Sequence, residues 1–355
     1  PAELIDQGLS GSFTEALPAI IRPDLIWTDD GFAASELDSV PGGIGLTAWL
    51  AQVYAQANPS QSIIGGPNGM VDGFKSIFPN GHADILVSDE AADYRPEMQW
   101  LVENHLGKEF DVQRAEDYRA SDRDVYRFYE LFDLPNLPNA MDWGAASARG
   151  DFALTSPHKP WLEEKMWSAL FWSLPLRQTW IAALREANFN RLKNIFPQSW
   201  VIDPTEIPHH AAIPGLDISN FSELESFTQK QRQLVLKLSG FNEKAWGSRG
   251  VTIGHDAAQS EWAEAVEEAI QSFDSQPYVL QRFHNGKKIT HSWYDPETDE
   301  MQIMEGRVRL CPYYFVSNGG KAINLGGVLA TICPADKKII HGMSDAILVP
   351  CSLER

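Results

Sequence analysis

The sequence predicts an α/β lobe joined to an α+β lobe, on three observations. Between residues 44 and 105, helical and strand-like patterns alternate: helix 44–55, strand 61–65, helix 70–78, strand 83–88 and helix 96–105 with a proline in its first turn. Such alternation makes a largely parallel sheet covered by helices. From residue 233 onward the pattern changes to strand 233–238, helix 261–273 and strands 278–283, 287–294, 302–310, 323–331 and 339–350, with 287–294 expected to pair with 278–283 across the His284-Asn285-Gly286 turn. One helix among many strands reads as α+β. The 355 residues are 43% hydrophobic and include 12 Trp and 17 Phe, enough for a large core in two or three lobes.

The chain begins with its most chemical stretch. Residues 21–27 form an apolar strand, Asp29-Asp30-Gly31 is a hairpin turn signal, and 32–36 returns as the second strand. Asp24 and Glu36 can share a face across such a hairpin. Glu36 and Asp38 share one through the two-residue period of an extended chain. Carboxylates gathered on one face repel unless a cation lies among them, and oxygen-only donors suit Mg²⁺ or Mn²⁺. Arg22 adds a planar cation fitted to phosphate. The same residues also fit an acidic, solvated hairpin that binds nothing.

The middle of the chain is less informative. Gly65-Gly66 and Asp89-Glu90 fall at the carboxyl ends of two strands, where open α/β sheets bind ligands, or are plain strand-to-helix turns. The segments 124–134 and 151–155 continue the lobe. Residues 159–174 carry an apolar face at helical spacing, which reads as core, and 176–187 is a further helix. His209-His210, the one adjacent histidine pair, sits in a proline-rich loop and reads as surface.

A second constellation follows residue 189. The strand 233–238 presents Lys237, and a loop with Gly247, Ser248, Arg249 and Gly250 comes after it. Glycine frees backbone N–H groups to wrap phosphate oxygens, and lysine adds a point charge. A simple hairpin has the same composition, and the spacing is not that of a Walker A loop. Arg307 and Arg309 alternate along one strand and share a face, which is either an anion site or a solvated surface.

Lys and Arg number 29 against 48 Asp and Glu, a net charge of −19. That balance disfavours nucleic acid and anionic membranes as partners. No apolar run approaches the ~20 residues that span a bilayer. The three cysteines, Cys311, Cys333 and Cys351, lack metal-ligand spacing and read as free thiols in a reducing, cytoplasmic setting.

Arg-x-Asp followed by Glu-x-Asn and Pro-Gly closes the ATP-grasp ligases of the D-alanine–D-alanine ligase type. Arg22, Asp24, Glu36, Asp38, Pro41 and Gly42 resemble that pattern, with Asp38 standing where the family has Asn. The motif lies near the start of this chain, an order similar to the circularly permuted ATP-grasp enzymes such as the synthetase domain of glutathionylspermidine synthase. The resemblance implies a circularly permuted ATP-grasp fold in four parts: a metal-binding hairpin over 1–45, an α/β pre-ATP-grasp lobe over 46–188, nucleotide-binding lobes over 189–322, and closing strands over 323–355. Strand 339–350 is then the partner expected beside 21–27.

It also implies an ATP-dependent carboxylate–amine ligase working through an acyl phosphate on small-molecule or peptide substrates. ATP and two Mg²⁺ (or Mn²⁺) ions are expected between the lobes, the metals on Asp24, Glu36 and Asp38, with Arg22 catalytic. Lys193, Lys237, Gly247, Ser248 and Gly250 are implied at the phosphates. Gln281, Arg282 and Phe283, on the strand resembling the hinge, are implied at adenine. Gly42, Gly43, Arg307 and Arg309 are implied at substrate. A kinase using the same cleft, or a nucleotide-binding module without catalysis, are the alternatives.

Overall fold

The computed structural model describes residues 2–119, 121–205, 207–208, 211–239, 243–245, 249–337, 339–342 and 345–353. They form two compact units. The first comprises Pro1–Trp27, Glu36–Glu163 and Gly286–Arg355; the second comprises Thr28–Ser35 and Glu164–Asn285.

In chain order the first unit opens with helix α1 (Ala2–Gly8) and the hairpin β1 (Ile20–Thr28) and β2 (Gly31–Asp38), whose tip belongs to the second unit. Helix α2 (Ile44–Ala57), strand β3 (Ser62–Ile63), helix α3 (Gly69–Ser76), strand β4 (Ala83–Val87) and helix α4 (Arg95–Leu101) follow. Then come β5 (Phe110–Arg114), β6 (Asp124–Phe128), helix α5 (Ala140–Arg149) and β7 (Leu154–Thr155). The second unit holds helices α6 (Trp167–Trp172), α7 (Arg177–Leu184) and α8 (Glu186–Lys193) and strands β8 (Ser199–Val201), β9 (Leu234–Leu238) and β10 (Val251–Ile253). Helix α9 (Gln259–Gln271) and β11 (Tyr278–Arg282) complete it. The chain returns to the first unit with β12 (Lys288–Asp295), β13 (Glu300–Ser317), β14 (Ala322–Pro334), β15 (Ile347–Pro350) and β16 (Ser352–Leu353).

The strand–helix alternation yields the expected parallel sheet, ordered β5-β4-β6-β7. Strand β4 is buried along its whole length; its Ala, Ile, Leu and Val suit a strand covered on both faces, and its buried Asp84 is ion-paired with Arg123 at 2.7 Å. The antiparallel sheet of the first unit is ordered β15-β14-β13-β1-β2, with β12 added to the far end of β13. One core joins the two sheets through Ile44 and Ala48 of α2, Met70 and Phe74 of α3, Ile85 and Val87 of β4, and Tyr313 and Phe315 of β13. The second unit has an antiparallel sheet, β10-β9-β11-β8, and its own core, where Trp262 and Val266 of α9 meet Leu234, Leu236 and Leu280. Among the described residues no helix is long and apolar enough to cross a membrane.

Five expectations need correction. Strand β12 pairs with β13, not with β11, because β8 and β9 already occupy both edges of β11. Strand β15 pairs with β14 and reaches β1 only through β14 and β13, since the edges of β1 are taken by β13 and β2. Gly65-Gly66 follows a two-residue strand paired antiparallel with β16 and lies outside the parallel sheet. The helix expected over 159–174 is reduced to a single 3-10 turn at Pro160–Leu162 and to α6, which ends where Ser173 turns extended. The helix expected over 96–105 ends as α4 and passes into a single π turn, Val102–Leu106.

Candidate functional site

The site of the first unit is built on facing strands. In the β1–β13 register Ile21 lies opposite Tyr314 and Leu25 opposite Leu310, which sets Arg22 across from Tyr313 and Asp24 across from Cys311. The two-residue period then gathers Arg22, Asp24, Arg309, Cys311 and Tyr313 on one face. Asp24, 4% exposed, is the centre of this face. Arg22 Nε lies 3.1 Å from its Oδ1, Arg309 Nη1 lies 2.8 Å from its Oδ2, and the Cys311 thiol donates to Oδ1 at 3.5 Å. Burial works against the Asp24 charge, but Arg22 and then Arg309 outweigh it and hold the carboxyl below its usual range.

Arg22 reaches further. Its Nη2 lies 2.9 Å from Asp38 Oδ2, and its Nη1 donates to the Gly42 carbonyl at 3.1 Å. The Val40 amide donates to Asp38 Oδ1 at 2.8 Å. Burial pushes the Asp38 carboxyl up; Arg22 and the Val40 amide oppose this, and the charges of Asp24 and Glu36 add to it. Glu36 is therefore a near neighbour of Asp38 in charge.

The Pro41-Gly42-Gly43 exit turns the chain into α2. Gly43 sits in the left-handed region at φ 86°, and a Cβ there would meet the Tyr313 hydroxyl at 2.6 Å. That hydroxyl donates to the Gly42 carbonyl at 2.7 Å, next to an irregularity in the β13–β14 ladder between Tyr313 and Tyr314. Glu97 of α4 accepts the Gly43 amide at 2.7 Å and the Leu46 amide at 2.9 Å, so a carboxylate occupies the positive end of α2. Burial nonetheless raises the Glu97 carboxyl above its ordinary range. Beside these groups stands Tyr126, almost fully buried, whose hydroxyl has no hydrogen-bond partner among the described residues. Arg127 is ion-paired with Glu163, whose other oxygen accepts the Leu131 amide at 2.7 Å. Glu130 bonds to Glu163 as well; burial, then the charges of Glu163 and Asp38, push its carboxyl well up.

The fold so defined is similar to that of a glutathione synthetase-like effector. That structure, from Globodera pallida in its apo form, is 11% identical with a TM-score of 0.51, over 99% of this chain and 79% of the effector. A protein named as a γ-glutamylcysteine synthetase from Methylobacillus flagellatus aligns at 10% identity and TM-score 0.42, covering 99% and 83%. D-alanyl-alanine synthetase A from Vibrio cholerae aligns at 11% identity and TM-score 0.32, covering 69% and 89%. The likeness of fold rests on the first of these. No protein-family model matches the sequence, and no curated protein matches it.

In kind, Asp24, Glu36 and Asp38 fit Mg²⁺: they are hard oxygen donors, and a divalent ion would offset the burial, and then the charges of Asp24 and Glu36, that raise the Asp38 carboxyl. As they stand, Asp24 has both oxygens on arginine, Asp38 has one on Arg22 and one on the Val40 amide, and among the described residues no three His, Cys, Asp or Glu are grouped so as to hold a metal.

The second unit brings together Lys237 and Gln281. Lys237 Nζ donates to the Ser35 carbonyl at 2.8 Å and to Gln281 Oε1 at 2.9 Å, and buried Gln281 donates to Ser199 Oγ at 3.3 Å. The other residues expected at the nucleotide have separate surroundings. Arg282 donates to the Gly215 carbonyl at 2.6 Å and lies over Trp200; Phe283 packs edge-on against His255 at 4.5 Å; exposed Lys193 lies 4.7 Å from the Trp172 ring centre. The Gly250 carbonyl accepts the Leu238 amide at 3.0 Å. Gly247, Ser248 and the pair His209-His210 lie outside the described residues. In the first unit Arg307, unlike Arg309, serves backbone carbonyls: it donates to Gly286 at 3.2 Å and to Ala335.

Sequence reasoning missed Glu97, Cys311, Tyr313 and the Arg127–Glu163–Glu130 group. Cys311 and Tyr313 left a trace: Arg307, Arg309, Cys311 and Tyr313 run at period two along one strand, which already places them on one face.

Proposed function

We propose that the chain is an ATP-dependent carboxylate–amine ligase of the ATP-grasp type, its elements in circularly permuted order. The observation that carries the reading is the Arg22–Asp24–Asp38 cluster on an early hairpin that leads through Pro41-Gly42-Gly43 into α2. The fold likeness to a glutathione synthetase-like effector supports it. So does the sheet that holds β1 near one end of the chain and β15 near the other.

In this reading Arg22, fixed by three contacts, presents a preorganised cation to the oxygen that gains charge as the substrate carboxyl is phosphorylated and then attacked by an amine. Arg309 has a donor to spare, its Nε, which has no hydrogen-bond partner among the described residues, and it serves a substrate carboxylate or phosphoryl group. Glu97 and Tyr313 position the Gly42-Gly43 backbone. Asp24, Glu36 and Asp38 would hold Mg²⁺ or Mn²⁺, which when bound neutralises phosphoryl charge. In the second unit Lys237, anchored on two neutral oxygens, and Gln281 serve the nucleotide. The substrates are a small-molecule or peptide acid and an amine.

The test is an assay with ATP, Mg²⁺ and pooled amino acids and amines. A ligase releases ADP and phosphate only when acid and amine are both present. A kinase leaves phosphate on its acceptor, an outcome that overturns the proposal. The second reading, a nucleotide-binding module without catalysis, is favoured by the commitment of Asp24 to two arginines; it predicts ATP binding with no turnover.

A further inference from the structure

Strands β12 and β13 run beyond the sheet as a two-stranded arm. Their pairing extends from Lys288 opposite Arg307 to Asp295 opposite Glu300, while β14 joins β13 only from Gly306 onward. Over residues 300–305, β13 thus has β12 as its ladder partner and no other among the described strands. One face of the arm is rooted: Ile289 and Met304 pack against the small core of Val308, Ala330 and Ile332. The other face is not. There Tyr294 lies opposite Met301 and Ser292 opposite Ile303, and the three large side chains are 55%, 64% and 76% exposed. Isolated two-stranded ribbons are marginal in water, and a cross-strand apolar cluster left in solvent gains nothing for the arm that carries it.

The arm's charges say what covers it. Its base carries Lys287, Lys288 and Arg307 against a single acid, Glu305, which lies 3.7 Å from Lys288; its tip carries Asp295, Glu297, Asp299 and Glu300. The tip is ordered by its own acids, since Asp295 accepts the Glu297 amide and the Thr298 hydroxyl, and Asp299 accepts the Tyr294 hydroxyl. Base and tip are therefore opposite in sign at the two ends of one ribbon. A second arm laid antiparallel on the first brings each basic base to an acidic tip, twice over, as a two-fold axis requires. A parallel arrangement would set like against like.

We propose that the exposed Tyr294–Met301–Ile303 face is a self-association surface: two copies of the chain pair arm to arm, antiparallel, about a two-fold axis. The partner is a second copy and the contact is isologous. Apolar side chains supply the buried centre, and the Lys–acid ends fix the direction.

Sedimentation equilibrium of the full chain tests this. The wild type is expected to dimerise with rising concentration. Ile303→Lys should weaken the dimer by at least roughly 30-fold, the scale of a central interface residue. A base-reversed chain, Lys287→Glu with Lys288→Glu, should be monomeric. A tip-reversed chain, Glu297→Lys with Asp299→Lys and Glu300→Lys, should be monomeric as well. Mixed together, the two should form a heterodimer, which also proves that both are folded. A wild type that stays monomeric up to near-millimolar concentration overturns the proposal. So does a dimer indifferent to Ile303→Lys, or a mixture that fails to associate while each variant keeps the wild-type circular dichroism spectrum.

Discussion

Asp24→Asn is the most informative single change in the first unit. Asp24 is the anion between two guanidiniums, Arg22 at 3.1 Å and Arg309 at 2.8 Å, whose side chains are only 14% and 19% exposed. Asparagine keeps the shape and removes the charge, leaving two nearly buried cations without their shared partner. Breaking a buried pair from one side costs roughly 3–5 kcal/mol. At about 2–4 °C per kcal/mol for a unit of this size, the first unit's melting midpoint should fall by roughly 6–20 °C. Arg309→Met removes one cation and leaves Asp24 paired with Arg22, so its cost should be that of one charged hydrogen bond, about 1.5–3 kcal/mol. The pH dependence has a definite sign. Because the Asp24 carboxyl is held low, its contribution is present above the ordinary aspartate pKa of about 3.9 and is lost as pH falls through the lower folded value. Calorimetry of both variants from neutral pH into acid measures this. An Asp24→Asn cost below about 1 kcal/mol, or one that persists unchanged into strong acid, would refute the argument that Asp24 is the counter-ion of the cluster.

Other consequences can be checked alongside. Glu130, raised by burial and then by Glu163 and Asp38, contributes stability that is full at low pH and lost as pH rises through its folded pKa; Glu130→Gln should therefore raise the midpoint in mildly alkaline buffer and leave it unchanged in acid. Lys237→Met takes the donor from buried Gln281 and should cost roughly 1–3 kcal/mol while weakening ATP binding at least about tenfold; unchanged affinity by calorimetric titration would remove Lys237 from the nucleotide site. Gly43→Ala forces a left-handed alanine against the Tyr313 hydroxyl and should cost about 1–3 kcal/mol in thermal unfolding, whereas a neutral result would mean that the exit loop is free to move.

Local pattern made the hairpin legible. The Asp-Asp-Gly turn and the apolar runs around it give β1 and β2 within a residue or two, and the strand–helix alternation gives the parallel sheet around β4. What escaped is set by contacts between residues far apart in sequence. Arg309 is an obvious charge but meets Asp24 only because β13 lies beside β1. Glu97 reads as an ordinary acidic residue in the first turn of α4, and nothing local says that it caps α2 instead. The pairing of β12 failed for the same reason: a short turn suggested a hairpin with β11, while the edges of β11 were filled by distant strands. The mutual charge of Asp24, Glu36 and Asp38 was readable; the arginines that neutralise it were readable only singly.

The central claim is that phosphoryl passes from ATP to a substrate carboxyl before the amine attacks. It is tested most directly by supplying acid substrates labelled with heavy oxygen in the carboxyl group, with ATP, Mg²⁺ and amine, and analysing the released phosphate by mass spectrometry. A ligase acting through an acyl phosphate transfers one labelled oxygen to each phosphate it releases, and Arg22→Ala abolishes the transfer. Release of unlabelled phosphate that depends on acid and amine, or phosphate retained on the acceptor, would contradict the account.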